Sequence, residues 1–391
     1  MKIVIATPIL YEPSSPFNHL FKDIIEGFLE AGHEVVRIVA CEDMNDDRYK
    51  LGIDNSAISY IPVLRKKAGH SKMIQRYLSD TLTSIKMSRV IKKVKADILF
   101  EDVCYSSYWT VKAAKKNRMK VVAMLQDIWP DNAVQSRIIH QKSVLYKYFE
   151  FWQRAVYRNA NKIICISDDM KLLIESKGIP NNKINVIYNW GYSDEIVDIP
   201  WEENKFVKKY NLSKDFFYAI YAGNIGKMQN VELILKAAER LKNKDRIKFL
   251  IIGDGVRKDA IEQIAIKKKL TNILFFPLQA PELATSIYSA AGVNLIPLVP
   301  GGVKTALPSK IGVCLSCGRP IIFAFGKECR FAELVKKYTV GDCVSAEDEM
   351  ELVEAICNNV NEIKNEKNYD LFQERFNKEI NVKSYIETLY I

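Results

Sequence analysis

The feature that most constrains this chain is an alternation of short aliphatic runs with segments of helical periodicity. Residues 2–8 read as a strand around the continuous apolar run Ile3-Val4-Ile5-Ala6, the pattern of a strand covered on both faces. Residues 17–29 follow with Leu20, Phe21, Ile24, Ile25, Phe28 and Leu29 at helical spacing; Gly32 stops the helix and residues 34–40 resume as a strand. Such a strand, helix, strand unit requires a right-handed crossover and therefore a parallel sheet. Strands are predicted again at 98–100, 121–125 and 163–166, with helices at 142–159 and 168–177.

A second set of the same kind opens at 218–223 and continues through 248–252, 273–276, 293–296 and 320–325. Between the two sets, residues 194–215 are rich in charge and carry Pro200, which marks a linker. At 391 residues two cores are the expectation. The sequence therefore predicts an α/β chain of two Rossmann-like domains, residues 1–197 and 198–368. Residues 369–391, with Phe372, Phe376 and Ile380 in helical register, are expected to return to the first domain. Ligands of such open sheets sit beyond the carboxyl ends of the strands, where two facing domains would border one cleft.

Charge and apolar run length narrow the function classes. Residues 62–120 hold fifteen Lys or Arg against the acids Asp80, Asp97, Glu101 and Asp102, within a chain of net charge +10. An anionic partner follows as an expectation: a membrane surface, a phosphorylated acceptor or nucleic acid, against the alternative of a solvated helix face. The segment carries no nucleic-acid-binding module signature, which argues against nucleic acid. Ile74, Leu78, Leu82 and Ile85 fall on one helical face there, with Lys72, Arg76, Lys86, Arg89, Lys92 and Lys93 around it. Each basic residue near an anionic leaflet contributes about 1 kcal/mol. No apolar run approaches the roughly 20 residues of a membrane-spanning helix, and no cleavage site follows the first apolar run. A cytoplasmic chain is expected, with peripheral contact to the inner face of the plasma membrane through residues 62–120. Among eight scattered cysteines only Cys314 and Cys317 form a C-x-x-C pair, without a partner pair or nearby histidine, so buried thiols are expected rather than zinc. The histidines His19, His33, His70 and His140 have no metal or triad spacing.

Three loops of the second half carry candidate chemistry. Gly223-Asn224-Ile225-Gly226-Lys227 joins a strand to a helix, where backbone N–H groups hold phosphate and Lys227 adds charge; a plain turn explains it equally well. Gly253-Asp254-Gly255 ends the next strand and lets a base or sugar approach the backbone, or is an ordinary turn. The third, Gly301-Gly302-Val303-Lys304-Thr305 before Pro308-Ser309-Lys310, sets two lysines beside a predicted helix start with Ser309 as its cap. A lysine at a helix N-terminus opposes the dipole, so Lys310 is better explained by a bound anion such as a diphosphate.

These stretches, with Cys317-Gly318-Arg319-Pro320, Gly32-His33-Glu34-Val35, Gln126-Asp127-Ile128-Trp129-Pro130-Asp131 and Asn189-Trp190, make the chain resemble retaining glycosyltransferase family four, of the GT-B fold. The likeness is to bacterial polysaccharide enzymes of the L-fucosamine transferase type. It implies a donor nucleotide sugar, a UDP-activated N-acetylated hexosamine, held by Gly223, Asn224, Gly226, Gly253, Asp254, Gly255, Lys304, Thr305 and Ser309. Lys227 and Lys310 would neutralise the departing diphosphate without a metal ion or other cofactor. Asp127, which follows a strand at its carboxyl end, would touch the reacting sugar or acceptor hydroxyl, unless it serves only as a cap; His19 and Trp129 would lie on the acceptor side. The acceptor would be a saccharide or lipid-linked saccharide, and the configuration would be retained. Departures from the family accompany the matches. Its two glutamates align with Thr305 and Val313, which leaves Glu282 or Glu328 as candidates to orient the donor; its acceptor-side histidine aligns with Gln126; the paired glycines of its first loop are replaced by Ser14-Ser15-Pro16. A GT-B scaffold acting as a non-catalytic partner of another transferase is the alternative reading.

Overall fold

The computed structural model describes residues 1–7, 17–44, 50–66, 73–191, 195–197, 199–361 and 364–391; Ser14, Ser15, Pro16, His70 and Lys72 lie outside them. The chain forms two compact units, Met1–Tyr188 with Glu379–Ile391, and Asn189–Lys378. The boundaries expected from sequence were 197/198 and 368/369.

Unit 1 contains β1 (Lys2–Thr7), β2 (Glu34–Cys41), β3 (Ile58–Leu64), β4 (Ile98–Asp102), β5 (Lys120–Leu125), β6 (Lys162–Cys165) and β7 (Ile184–Val186). All pair in parallel, in the order β3-β2-β1-β4-β5-β6-β7. The order reverses between β1 and β4, the switch point where open α/β sheets leave a crevice. Ile3–Ala6 of β1 are fully buried, as a continuous aliphatic run requires at a sheet centre. The edge strand β3 escapes the sequence pattern because Ser59, Tyr60 and Pro62 interrupt its apolar residues, and proline is tolerated at an edge.

The last helix, Lys378–Glu387, returns to unit 1. A Cβ at Gly27 would stand 2.3 Å from Val382 Cγ1, so glycine permits the close approach of this helix to Phe17–Glu30. Asn381 Nδ2 donates to the Tyr188 carbonyl at 2.9 Å, and buried Tyr385 lies 6.1 Å from the Phe100 ring. The expected register through Ile380 fails: Phe372 and Phe376 are buried in a π-helical turn, Phe372–Phe376, whereas Ile380 is 50% exposed. A π turn inserts extra residues into the helical repeat and shifts its phase.

The helix Met73–Ile91 turns a polar side inward. Ser79, Asp80, Thr83, Ser84 and Ser88 are buried, while Leu78 and Leu82 are 54% and 51% exposed. The inward groups are all satisfied. Arg65 Nε lies 2.6 Å from Asp80 Oδ1, and Arg65 Nη1 lies 3.0 Å from Glu42. The Tyr105 hydroxyl also donates to Asp80, Ser79 donates to the Lys66 carbonyl and Ser84 to Ser106.

Unit 2 contains β8 (Phe217–Ala222), β9 (Ile247–Ile252), β10 (Ile273–Phe276), β11 (Val293–Pro297), β12 (Ile321–Ala324) and β13 (Asp342–Cys343). The order is β10-β9-β8-β11-β12-β13, again parallel throughout. Its core joins Leu233, Leu235, Phe249, Ile251, Leu295 and Leu352. The stretch read as a linker is partly structured: Asn204 caps the helix Lys205–Tyr210, accepting from Phe206 N at 2.9 Å and Val207 N at 3.1 Å and donating to the Ser286 carbonyl. Its Phe206 is fully buried against Phe276, so this helix belongs to unit 2. Among the described residues no helix is long and apolar enough to cross a membrane.

Replacing the buried Tyr385 by alanine removes an aromatic filler between the C-terminal helix and β4. Tyr385→Ala is expected to destabilise unit 1 by about 3–5 kcal/mol, measured by urea unfolding; an unchanged midpoint would mean that the returning helix contributes nothing to that core.

Candidate functional site

The loops after β8 and β9 interlock. Gly223 N donates to the Ile252 carbonyl at 2.9 Å, Ile225 N to Asp254 O at 2.7 Å and Arg257 N to Ile225 O at 3.0 Å. Side chains are excluded at the joint, because a Cβ on Gly253 would stand 1.9 Å from the Gly223 oxygen and one on Gly255 2.5 Å from Asn224 Oδ1. Gly253 also holds φ +152°, a backbone that glycine alone adopts without strain. The loop after β11 joins the same edge: Val299 N donates to Met228 O at 2.9 Å, and Asn230 Nδ2 donates to the Leu298 and Ala346 carbonyls. All three glycine loops singled out in the sequence therefore meet at the carboxyl ends of β8, β9 and β11.

Lys310 opens the helix Lys310–Ser316 and reaches into this junction. Its Nζ lies 3.9 Å from the centroid of the Tyr221 ring, and a Cβ on Gly223 would stand 2.8 Å from it. Among the described residues no carboxylate pairs with Lys310. Burial of the ammonium lowers its pKa from 10.5 to about 8; the charged form is the one that desolvation disfavours. The Tyr221 hydroxyl donates to the Asn224 carbonyl, which fixes the ring beneath the ammonium. Tyr221 was missed in the sequence; its signal is a phenol two residues before the glycine loop, in a strand that also carries Phe217 and Tyr218.

The other donor-side candidates divide by exposure. Lys227, Asn224, Asp254 and Lys304 are exposed on the loops. Gly226 is buried, where a Cβ would meet Gln229 and Asn224. Ser309 occupies the cap position of Lys310–Ser316, but its backbone is already helical and its hydroxyl makes no capping bond. Thr305 is buried and donates to the Gly302 carbonyl at 3.0 Å. Val313 is buried, and a Cβ on Gly191 would stand 2.9 Å from its Cγ2, so this position is filled by local packing. Of the two other acids, exposed Glu328 follows β12, the neighbour of β11, whereas exposed Glu282 follows the edge strand β10. Sheet order thus leaves both acids one strand beyond the three loops.

In unit 1, Asp127 follows β5 at its carboxyl end. It is not a cap, since the next helix, Asp131–Gln135, is preceded at that position by Pro130. Its carboxylate is open to water yet crowded by protein, and the desolvation pushes its pKa up to about 6. His19, half-buried, lies in the first turn of Phe17–Glu30 after β1; the helix and Asp127 are separated in the sheet by β4. Trp129 packs on Tyr105 and Phe149, with centroids at 5.7 and 5.2 Å. The end of β4 supplies Glu101, unnoticed in the sequence, fully buried with its pKa raised by desolvation and its Oε1 accepting from Thr110 at 2.7 Å. His33 is buried beside Tyr390, and Cys314 and Cys317 are buried thiols, raised in pKa chiefly by burial.

Two family models match the chain: Glycosyltransferase Family 4 over residues 19–190 and Glycosyl transferases group 1 over residues 202–370. A probable glycosyltransferase, WbjE of Pseudomonas aeruginosa, is 24% identical over 57% of this chain and 55% of its own length. A putative colanic acid biosynthesis glycosyl transferase, WcaI of Escherichia coli, is 25% identical over 52% of this chain and 51% of its own. The chain thus spans about half the length of these curated relatives. In fold it is similar to HepE of Anabaena, solved in complex with UDP, with a TM-score of 0.74 and 14% identity over 100% of this chain and 99% of that one. It is similar also to the sucrose-phosphate synthase of Thermosynechococcus elongatus, with a TM-score of 0.77 and 16% identity over 100% and 98%. The two parallel-sheet units are those of the GT-B fold.

Gly253→Ala forces the β8 and β9 loops apart. It is expected to weaken nucleotide binding by about tenfold or more, consistent with overpacking costs of about 1–3 kcal/mol, read by calorimetric titration of UDP; full retention of affinity would show that the interlocked loops do not shape the site.

Proposed function

The chain belongs to glycosyltransferase family 4, and from that premise we propose that it transfers a sugar from a UDP-activated donor to a saccharide or lipid-linked saccharide during bacterial polysaccharide assembly. The donor sugar is an N-acetylated hexosamine and the anomeric configuration is retained. The observation that carries this reading is Lys310, whose ammonium sits without a carboxylate between the Tyr221 ring and the Gly223 backbone. An ammonium desolvated in this way calls for an anion. The name of WcaI as a polysaccharide-assembly transferase and the UDP found in HepE support the choice of anion and pathway.

In this reading the donor diphosphate lies against Gly223, Asn224 and Gly226, with Ser309 and Lys310 beside it and Lys304 and Lys227 contributing charge from the exposed loops. Negative charge grows on the diphosphate as the glycosidic bond breaks. Fixed cations in a water-poor site stabilise that charge more in the transition state than in the bound donor, and so accelerate the step. The lysines perform the task that a metal ion performs in other transferases. Gly253, Asp254 and Gly255 border the nucleoside, and Glu282 or Glu328 orients the donor where Thr305 and Val313 carry no carboxylate. Asp127 accepts a hydrogen bond from the acceptor hydroxyl, and His19 and Trp129 lie on the acceptor side. The protein works in the cytoplasm, at the inner face of the plasma membrane.

A non-catalytic GT-B partner is the second reading, favoured by the enclosure of Thr305 and Val313 in local packing. Incubation with a panel of nucleotide sugars and lipid-linked acceptors, followed by mass spectrometry, separates the two: the first predicts a transferred hexosamine, the second neither transfer nor donor hydrolysis. Lys310→Met keeps the apolar stem over Tyr221 and removes the charge. It is expected to weaken UDP binding about ten- to a hundredfold, the loss of one bond to a charged group. In the wild type, affinity should fall as pH rises through about 8, because the ammonium form that the diphosphate selects is lost there. A pH-independent affinity over that range, or an unaffected variant, would exclude Lys310 from the site.

A further inference from the structure

We propose that unit 1 carries a lipid-inserting face, built from the outer sides of the helices Met73–Ile91 and Val144–Asn159, that docks on an anionic membrane. The inference deepens the membrane contact proposed above and moves its apolar part onto a second helix outside residues 62–120. On the first helix the exposed positions are Gln75, Leu78, Leu82, Lys86 and Arg89, three or four residues apart and therefore on one side. On the second, Val144, Tyr148 and Phe151 recur at the same spacing and are 84%, 46% and 64% exposed, with Leu145 beside them at 42%. The helices meet where the Tyr77 and Tyr148 hydroxyls lie 3.1 Å apart and the Tyr77 and Phe149 rings pack edge to face at 5.1 Å. The helix Tyr108–Lys116 packs against both.

Two features select a membrane as the occupant. The inner side of Met73–Ile91 is the polar one, held by the Arg65–Asp80 pair and the serine bonds, so the leucines are fixed outward by the fold. Contiguous exposed apolar groups of this kind mark an interaction surface. The charge is also complementary. Lys86, Arg89 and Lys147 are exposed around the patch, while Asp80 is buried and Glu150 is paired with Arg154 and Lys177. Half-exposed Trp109 and Trp152 stack near the patch at 6.5 Å. Apolar residues with a cationic border and interfacial tryptophans are the composition that binds an anionic bilayer surface in its plane.

The test is flotation of the full chain with phosphatidylcholine vesicles, with and without phosphatidylglycerol, at physiological salt. The wild type should bind the anionic vesicles, with a blue shift of tryptophan emission. Two double variants, Leu78→Asp with Leu82→Asp and Val144→Asp with Phe151→Asp, should each lose roughly tenfold or more of that partition. Their circular dichroism and UDP affinity should be unchanged, so failure of this inference is distinct from failure of the transfer reading. Vesicle binding that survives either double variant, or a wild type that never binds, overturns the proposal. So does a wild type that self-associates in ultracentrifugation and becomes monomeric in the variants, since the face would then join two copies.

Discussion

An ammonium enclosed against an aromatic ring with no carboxylate to balance it is the constraint on which the functional part of unit 2 depends. Lowering the Lys310 pKa from 10.5 to about 8 corresponds to about 3 kcal/mol against the charged form. A desolvated cation over an aromatic face recovers about 2 kcal/mol or more, comparable with that cost. The balance leaves the site poised for an anion, whose arrival supplies the missing charge. The architecture around it is explained by the same need: β8 presents Tyr221, glycines at 223 and 253 clear the space, and the helix Lys310–Ser316 delivers the ammonium.

Glycine carries the geometry of this junction because bulk is forbidden at its points of contact. The loops after β8 and β9 lie so close that any side chain at Gly253 would collide with the Gly223 carbonyl. Positions 305 and 313 are governed by packing as well. Thr305 closes its own turn by bonding to Gly302, and Val313 fills the space beside Gly191. A carboxylate at either position would have to displace these contacts. Asp127 in unit 1 shows a related physics with the opposite sign, since crowding raises a carboxyl and lowers an ammonium.

The strands of both sheets that are wholly apolar were legible in the sequence, as were the glycine loops at their ends. Parallel strands buried on both faces write themselves as continuous aliphatic runs. The edge strands β3 and β13 were not legible, because Pro62 interrupts one and the other has only two residues. The helix Met73–Ile91 was recognised as a helix, but leucine spacing alone cannot say which side faces inward: Arg65 and Tyr105, distant in sequence, satisfy Asp80 and hold the polar side in. The position of Lys310 at a helix start was legible, whereas its partner Tyr221 lay hidden in a strand 89 positions away. Ser309 looked like a cap by residue type, and only the backbone decides that it is not.

The central claim is that the Lys310 ammonium is held unpaired until a nucleoside diphosphate binds. The direct measurement is nuclear magnetic resonance titration of the chain with isotopically methylated lysines, the Lys310 signal being assigned by its absence in Lys310→Met. The account predicts a pKa near 8 in the free protein and a marked rise when UDP is bound. An ordinary lysine value in the free protein, or a value unmoved by saturating UDP, would contradict it.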